Sequence, residues 1–226
     1  NLNSAYGAIG SGYFRFYDTD LAEAVTKTGQ LIIRWVARDV NDYLNKTFKT
    51  DEDYIIASDT DSIYVRMSAV VRAYQGGNST LTKDKIVTML DKFCKSRIEP
   101  LIAASFGTLA NYLNVAVPCL SMVRESIADK GLWSAKKRYI LNVFDNEGVR
   151  YDTPHMKVMG IESIKSSTPA ICRDMITAIL KLFMNGTQED VWQYITTARD
   201  SFIGAGFEEV AFPRSVNGLK KYSAAE

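Results

Sequence analysis

Cysteine and histidine are scarce in this chain of 226 residues. The three cysteines, Cys94, Cys119 and Cys172, are widely spaced and follow no metal-ligand pattern, and three thiols cannot all pair within one chain. We therefore expect reduced, mostly structural thiols, as in a cytoplasmic protein. The single histidine, His155, has no neighbour that indicates a catalytic dyad, so a hydrogen-bonded structural role is the simpler interpretation.

Long apolar runs and strong net charge are also missing. No run of about 18 or more apolar residues occurs, so no membrane span is expected, and the first residues do not have the pattern of a signal peptide. The 27 Lys and Arg residues balance the 26 Asp and Glu residues to a formal net charge of +1. Bulk charge therefore does not indicate nucleic-acid binding, and the distribution of charges matters more than their sum. With 46% hydrophobic residues the chain can bury a substantial core.

Helices and strands alternate irregularly in the sequence pattern. Asp18 is placed to cap a long helix that runs to about Phe48, with apolar residues at helical spacing. A second helical stretch runs from Lys83 to about Leu113, interrupted near Pro100, and the pattern is helical again from residue 168 onward. Strands are predicted over residues 54–57, 63–65, 120–127, 138–144 and 149–151. This order favours an α+β fold, in which helices pack on one face of an antiparallel sheet.

The Asp59-Thr60-Asp61-Ser62 run lies between two of the predicted strands. Apolar and β-branched residues around a tight polar turn predict a β-hairpin with two carboxylates at its tip. Such carboxylates repel each other unless cations neutralise them, and Mg²⁺ takes one or two protein carboxylates and completes its shell with substrate phosphates and water. In nucleotidyl transfer, metal ions held in this way stabilise both the attacking and the leaving oxygen.

Two other interpretations of this run compete with a magnesium site. Short Asp-x-Asp turns also occur without metal, because Asp side chains bond their own backbone and tolerate tight turns. An EF-hand calcium loop needs Gly at its sixth position and Glu at its twelfth. Counted from Asp59, those positions hold Tyr64 and Val70, which excludes the calcium loop.

Three short motifs follow one another along the chain: Asn3-Ser4-Ala5-Tyr6-Gly7, Asp59-Thr60-Asp61-Ser62 and Lys136-Lys137-Arg138-Tyr139. The chain resembles family B DNA polymerases, which carry these motifs in this order. Residues 13–18, 159–162 and 166–169 are most similar to the replicative polymerases of T-even-type bacteriophages. Intact members of the family are several times longer, so the resemblance covers nearly all of this chain but only part of such an enzyme.

The resemblance implies a polymerase palm, with an antiparallel sheet backed by helices, followed by a partial helical thumb. Residues 1–9 would end a fingers helix, residues 10–162 would form the C-terminal part of the palm, and residues 163–226 would begin the thumb. The exonuclease, most of the fingers and the motif Asp-x-x-Ser-Leu-Tyr-Pro-Ser, with the other essential carboxylate, would lie outside this chain.

The implied reaction adds deoxynucleoside triphosphates to the 3′ end of a primer on template DNA, with two Mg²⁺ ions, in a phage-infected host. Asp61 would be a ligand of both ions. Asp59 would be a weaker ligand, or would instead adjust the electrostatic field at the metal site or stabilise the turn. Because the partner Asp and the triphosphate-binding Lys are not in this sequence, we expect no polymerisation by the chain alone.

The first motif would contact the incoming nucleotide. The resemblance puts Asn3, Ser4, Tyr6 and Gly7 there, with the Tyr6 ring under the nascent base pair and Gly7 admitting close approach. On the residues alone, such a run is more typical of a helix end with a Gly cap.

The resemblance implies that Glu125 lies on a strand close to the metal hairpin. Its carboxylate would then lie next to the metal ligands without being one of them. The alternative for Glu125 is a surface salt bridge with Arg124 or Lys130, which contributes little to stability.

Basic residues near position 137 form the DNA-contact candidate. Lys136, Lys137 and Arg138 can neutralise phosphates, and Tyr139 can bond a phosphate or rest against a sugar. A basic cluster before a strand also occurs as a solvated edge that blocks aggregation. Farther along, three hydroxyl residues are placed either to cap the next helix or to donate to a phosphate at its N-terminus: Ser166, Ser167 and Thr168.

The sequence is also compatible with two other functions. The chain could be the C-terminal subunit of a naturally split DNA polymerase, which needs a separate N-terminal subunit. It could also be a non-catalytic relative that only binds primer-template DNA, although the presence of both Asp59 and Asp61 argues against that.

Overall fold

The computed structural model describes residues 2–76, 81–215 and 217–218. They divide into two compact units, residues 1–125 and residues 126–226, each of which is described by itself. Both units combine helices with an antiparallel sheet, in keeping with the α+β prediction. Within the described ranges, no helix has the length and apolarity needed to cross a membrane.

The first unit is mostly helical, with one short hairpin. Its elements are α1 (Leu2–Ile9), α2 (Thr19–Phe48), β1 (Ile55–Asp59), β2 (Ser62–Val65), α3 (Ser68–Gln75), α4 (Lys83–Phe93), a π-helical turn (Cys94–Ile98) and α5 (Glu99–Tyr112).

The long helix α2 forms where the sequence predicted it. The Asp18 side chain caps its N-terminus by accepting a hydrogen bond from the Leu21 N–H at 2.9 Å. One face is buried, at Ile33, Val36, Val40 and Leu44. That spacing places the four side chains on one stripe, so burial of the stripe stabilises the helix.

The second helical stretch is continuous, because a wider turn accommodates the proline. Pro100 has no N–H to donate and its ring crowds the carbonyl of the preceding turn. The turn before it is π-helical, and the Glu99 N–H donates to the Cys94 carbonyl five residues back. The interruption predicted near Pro100 is therefore a π-helical turn, and the helix does not break. It is tied to α2 by the buried Ser105 hydroxyl, which donates to Asp39 Oδ2 at 2.5 Å.

The second unit is a three-stranded meander followed by helices. Its elements are β3 (Ser126–Ala135), β4 (Arg138–Asn146), β5 (Val149–Met159), a 3₁₀ turn (Glu162–Ile164), α6 (Ala170–Asn185), α7 (Gln188–Ile203) and α8 (Phe207–Val210). The strand order is β3-β4-β5, with both pairs antiparallel. The central strand β4 is buried from residue 139 to residue 145 and forms the core of the sheet. Pro154 lies in β5, an edge strand of the sheet, where a missing backbone N–H is tolerated.

One predicted strand is in the wrong place. Residues 120–125 carry no regular structure, and the strand begins at Ser126 and runs to Ala135. Leu120 and Val123 are 48% and 71% exposed. These apolar residues therefore do not belong to a strand that packs into a core. Pairing with β4 decides the position of β3, and such long-range pairing cannot be read from local composition.

Candidate functional site

The acidic motif forms the predicted hairpin. Strands β1 and β2 are antiparallel with Asp59 opposite Ser62, so that Thr60 and Asp61 make a two-residue turn. The Asp59 carbonyl accepts the Asp61 N–H at 2.5 Å and the Ser62 hydroxyl at 3.1 Å. We call Asp59, Thr60 and Asp61 the acidic tip.

Thr60 has an unusual backbone conformation, with φ at +46°. A β-branched residue rarely enters this left-handed region, and such strain is found most often at turns and functional sites. The Thr60 hydroxyl donates to Asp59 Oδ1 at 3.1 Å. The turn therefore holds the Asp59 carboxylate at the tip, half-buried, while Asp61 is exposed.

The base of the hairpin is fixed by polar contacts. Tyr54, only 1% exposed, donates its N–H to Asn41 Oδ1 on α2 at 2.8 Å. Its carbonyl accepts the Arg66 N–H at 2.8 Å, and the Arg66 guanidinium binds the Glu52 carboxylate. Helix α2 therefore holds Tyr54, the residue that precedes β1.

The acidic tip offers the oxygen ligands that a hard divalent cation prefers. Among the residues that the structure describes, no three His, Cys, Asp or Glu side chains are grouped as a metal-binding cluster. Two carboxylates, one of them exposed and the other half-buried, fit a cation such as Mg²⁺ that keeps several water or substrate oxygens. They do not form a cage that could hold it by protein groups alone.

Helix α1 presents the first motif on its surface. Ser4, Tyr6 and Gly7 are exposed, and the Asn3 side chain lies outside the described residues. Gly7 lies inside the helix, which ends at Ile9, so the interpretation as a Gly cap is wrong. Apart from its own helix backbone and its two chain neighbours, a Cβ at Gly7 would meet no described heavy atom within 4 Å, so packing against the described residues does not require a glycine there.

Glu125 does not lie on a strand, which corrects the sequence prediction. It is exposed and immediately precedes β3. Its carbonyl accepts a hydrogen bond from Arg124 Nη1 at 3.2 Å, while Arg124 Nη2 binds the Asp91 carboxylate. The irregular backbone here is thus held by side chains of the same unit.

The basic motif also forms a hairpin turn. Ala135 pairs with Arg138, and the two residues between them, Lys136 and Lys137, are exposed; we call them the basic tip. Lys137 has φ at +61°. Beside it, a Cβ on Gly160 would lie 2.1 Å from the Lys137 carbonyl oxygen, so only glycine lets the chain leaving β5 pass this turn.

The other two residues of the basic motif are engaged within the unit. The Arg138 guanidinium binds the Glu162 carboxylate. Tyr139 is buried, only 8% exposed, with its ring 6.2 Å from that of Trp133. These contacts orient Arg138 and pack Tyr139 into the sheet, whereas Lys136 and Lys137 are exposed.

Sequence reasoning missed two residues beside the basic tip. Lys165 Nζ lies 3.1 Å from Glu162 Oε1, so Glu162 joins Lys165 to Arg138. The Glu162 pKa is below its ordinary value, chiefly because its own backbone N–H bonds the carboxylate, and further because of Lys165 and the charge of Arg138. The three-residue spacing of Glu162 and Lys165 could have indicated this pair.

The three hydroxyl residues precede α6 without capping it. Ser166 and Ser167 are exposed, whereas Thr168 is 8% exposed and its N–H donates to the Lys165 carbonyl at 3.1 Å. Pro169 occupies the N-cap position and makes no side-chain hydrogen bond, so the capping prediction is wrong. Proline with its fixed φ starts the helix instead.

Comparison with known proteins confirms the resemblance. The chain is 35% identical to the DNA-directed DNA polymerase of Enterobacteria phage T4, over an alignment of 230 residues that covers 98% of this chain and 26% of that polymerase. It is also 35% identical to the DNA-directed DNA polymerase of Escherichia phage RB69, again over 98% of this chain and 25% of the relative. The chain thus spans about a quarter of the length of these relatives. No protein-family model matches it.

Proposed function

We propose that this chain is the palm-centred segment of a family B type, template-directed DNA polymerase of a bacteriophage. The observation that carries the proposal is the hairpin with Asp59 and Asp61 at its tip, in a chain aligned over 98% of its length with phage DNA polymerases. In this proposal residues 1–9 end a fingers helix, residues 10–162 belong to the palm, and residues 163–226 begin the thumb.

The acidic tip is the proposed metal-binding part of the active centre. Asp61 is exposed and would be the principal ligand, and the half-buried Asp59 would support it. Two Mg²⁺ ions, when bound, would supply charge stabilisation at the attacking and leaving oxygens. A second ligand-bearing segment is required, because Asp59 and Asp61 alone do not complete such a site.

The sheet around the acidic tip also favours completion by another segment. Within the described residues, β1 and β2 form a sheet of two strands, with Ile56 of β1 51% exposed. Two-stranded sheets are marginal in water unless further strands or a helix cover them. The remainder of the polymerase, either in the same polypeptide or as a separate subunit, is the proposed partner.

The exposed surface of α1 would receive the incoming deoxynucleoside triphosphate. Tyr6 is 44% exposed and can offer its ring to a base pair. Gly7 lowers helix stability relative to alanine, and no close contact with the described residues requires a glycine there. Both properties suit a helix face that a ligand approaches closely, with Asn3 and Ser4 on the same helix.

The basic tip would bind primer-template DNA. Lys136 and Lys137 project into solvent and would neutralise phosphates without reading sequence. Arg138, oriented by Glu162, and the exposed Ser166 and Ser167 would add phosphate contacts. Tyr139 and Thr168, both buried, would support this surface from within the unit.

Primer extension tests the proposal. The purified chain should extend no primer with Mg²⁺ and all four deoxynucleoside triphosphates, whereas the complete polymerase that contains it should. Robust extension by the chain alone would falsify the incomplete-site proposal. A complete protein that binds primer-template DNA but never extends it would instead identify a non-catalytic relative.

A further inference from the structure

The second unit contains a cavity between the sheet and the end of α6. Its volume is about 600 Å³, and residues of β4, β5 and the last turn of α6 line it. Small-molecule sites are typically clefts of this size, with mainly apolar walls and a few polar groups. The cavity is formed by residues 126–226 alone and shares no residue with the acidic tip, the basic tip or α1.

One residue of the cavity wall is an almost fully buried amide, Asn142, in an otherwise apolar stretch of β4. Asn142 is 2% exposed, and its neighbours Leu141 and Val143 are buried apolar residues. Its Nδ2 donates to Asp129 Oδ1 at 2.7 Å. An ionised carboxylate only accepts hydrogen bonds, so this contact fixes which end of the amide faces Asp129 and leaves Asn142 Oδ1 as an acceptor.

The amide oxygen of Asn142 has room for a donor from outside the chain. Among the described residues, none donates a hydrogen bond to Asn142 Oδ1. A buried acceptor without a donor costs free energy, and native structures satisfy nearly all such groups with protein, water or ligand. Because Asn142 lines the cavity, a molecule bound there can contact this side chain. The first requirement for a ligand is therefore an N–H or O–H group.

The remaining walls favour a flat apolar body. Met156 is directly opposite Asn142 in the register of β4 and β5, so the two side chains lie on the same face of the sheet. Pro154 precedes Met156 by two residues on the same strand, and Leu182 lines the cavity from α6. An apolar residue on the strand and another on the helix can contact the two faces of a planar ring.

The charges around the cavity favour a neutral ligand. The last turn of α6 ends in carbonyl groups, the negative end of the helix dipole, which disfavours anions. Lys130 Nζ already donates to the Met184 carbonyl of that turn at 2.7 Å, and the exposed Lys181 lines the cavity. These two ammonium groups repel cations, so neither sign of ligand charge is favoured.

We propose that this cavity binds a nucleobase, with an N–H group of the base donating to Asn142 Oδ1 and the ring lying between Met156 and Leu182. A nucleobase is uncharged and planar and carries such donors. The choice of a nucleobase among neutral planar rings rests on the proposed polymerase function, which brings both free nucleotides and DNA strands to the protein. The base can come from either source, and the experiment separates them.

Methyl NMR of the purified chain tests the proposal. The chain has seven methionines, and ¹³C-methyl labelling gives each a signal, with that of Met156 assigned through Met156→Leu. Thymidine should shift the Met156 signal to saturation and leave that of Met67, in the first unit, unchanged. The analogue 3-methylthymidine, whose base lacks the N–H group, should bind about tenfold more weakly, because the base then offers Asn142 Oδ1 no donor.

Three variants separate the cavity from an unspecific effect. Asn142→Leu should weaken thymidine binding about tenfold for the same reason, and Leu182→Trp should abolish binding by filling the cavity. Phe183→Trp, at a neighbouring position that is 60% exposed and does not line the cavity, is the matched control and should leave binding unchanged. Far-UV circular dichroism establishes that each variant is folded. If Asn142→Leu is not, Leu182→Trp and 3-methylthymidine decide the question.

An oligonucleotide identifies the source of the base. If single-stranded oligothymidylate shifts Met156 at a lower concentration than thymidine does, the cavity takes an unpaired base of DNA; if it gains nothing over thymidine, the cavity takes a free nucleoside. A Met156 signal that neither molecule shifts would overturn the proposal. So would an equal shift by pyrophosphate, or unchanged thymidine affinity in Asn142→Leu. None of these results requires catalysis, so they are distinct from a complete polymerase that extends no primer, which would refute the proposed function.

Discussion

The acidic tip and the basic tip are both two-residue turns between antiparallel strands, yet the chain supports them very differently. Each contains one non-glycine residue with positive φ, Thr60 at +46° and Lys137 at +61°. The basic tip extends from strands of ten and nine residues, the second of them buried over residues 139–145. The acidic tip extends from strands of five and four residues in which no residue is fully buried.

The basic tip therefore belongs to a sheet that this chain stabilises by itself. The acidic tip belongs to a sheet that this chain forms only in part. The basic tip rests on a sheet whose core lies within residues 126–226. The acidic tip has its base fixed by Tyr54 and Asn41, but its sheet has two strands in the described part of the chain. The proposed metal site has two carboxylates on a two-stranded sheet, which is what we expect of a segment that another segment completes.

The largest expected effect is catalytic and falls on the acidic tip. In the complete polymerase, Asp61→Asn should slow single-turnover nucleotide incorporation by about a thousandfold, because the proposed role of Asp61 as a metal ligand makes its carboxylate responsible for several kcal/mol of transition-state stabilisation. Affinity for primer-template DNA, measured by fluorescence anisotropy, should stay close to that of the wild type. Equal incorporation rates for Asp61→Asn and the wild type would show that the acidic tip carries no chemistry.

The next effect compares the two sheets by their stability. Ile140 of β4 is 0% exposed and Ile56 of β1 is 51% exposed. Ile140→Ala should lower the free energy of unfolding of the purified chain by about 2–5 kcal/mol because it leaves a cavity. Ile56→Ala should lower it by less than about 1 kcal/mol, as exposed positions do. Urea unfolding followed by circular dichroism measures both, and a larger loss for Ile56→Ala would reverse the comparison.

A smaller effect should appear in DNA binding through the basic tip. Removing one phosphate contact by Lys136→Ala should reduce the slope of log affinity against log salt concentration by about one. Lys85→Ala, an exposed lysine of α4, is the matched control and should leave the slope unchanged. The same slope for both variants would indicate that the basic tip is only a solvated strand edge.

The smallest effect concerns pH. Because Lys95 and Arg124 lower the Asp91 pKa in the folded chain, the folded state binds the Asp91 proton less readily than the unfolded state. The resulting stabilisation is present above the ordinary Asp pKa and is lost as pH falls through the lower, folded pKa. The acid-induced decrease in unfolding free energy should be shallower in Asp91→Asn. An identical slope in both proteins would mean that this carboxylate does not contribute to the acid sensitivity.

Local features were predictable from the sequence wherever neighbouring residues decide the structure. The Asp18 cap and the helical spacing predict α2, and a short polar turn between β-branched runs predicts the acidic hairpin. The position of β3 was not predictable in this way, because its pairing with β4 determines it. Burial of Tyr139 against Trp133 likewise depends on that pairing.

The partners of the site residues were the least predictable part. Arg138 binds Glu162, 24 residues away, and Arg124 binds Asp91, 33 residues away. Nothing in the local pattern identifies those acids among the 26 in the chain. The motifs therefore identify the candidate site residues, while long-range packing decides which of their side chains are exposed.

Direct counting of bound cations tests the proposed role of the acidic tip. The complete polymerase, with primer-template DNA and an incoming nucleotide, is titrated with Mn²⁺ as an observable substitute for Mg²⁺, and free Mn²⁺ is followed by electron paramagnetic resonance. If the acidic tip holds the catalytic cations, the Asp61→Asn enzyme should bind fewer Mn²⁺ ions or bind them much more weakly than the wild type. The same number of ions at the same affinity in both enzymes would contradict that role.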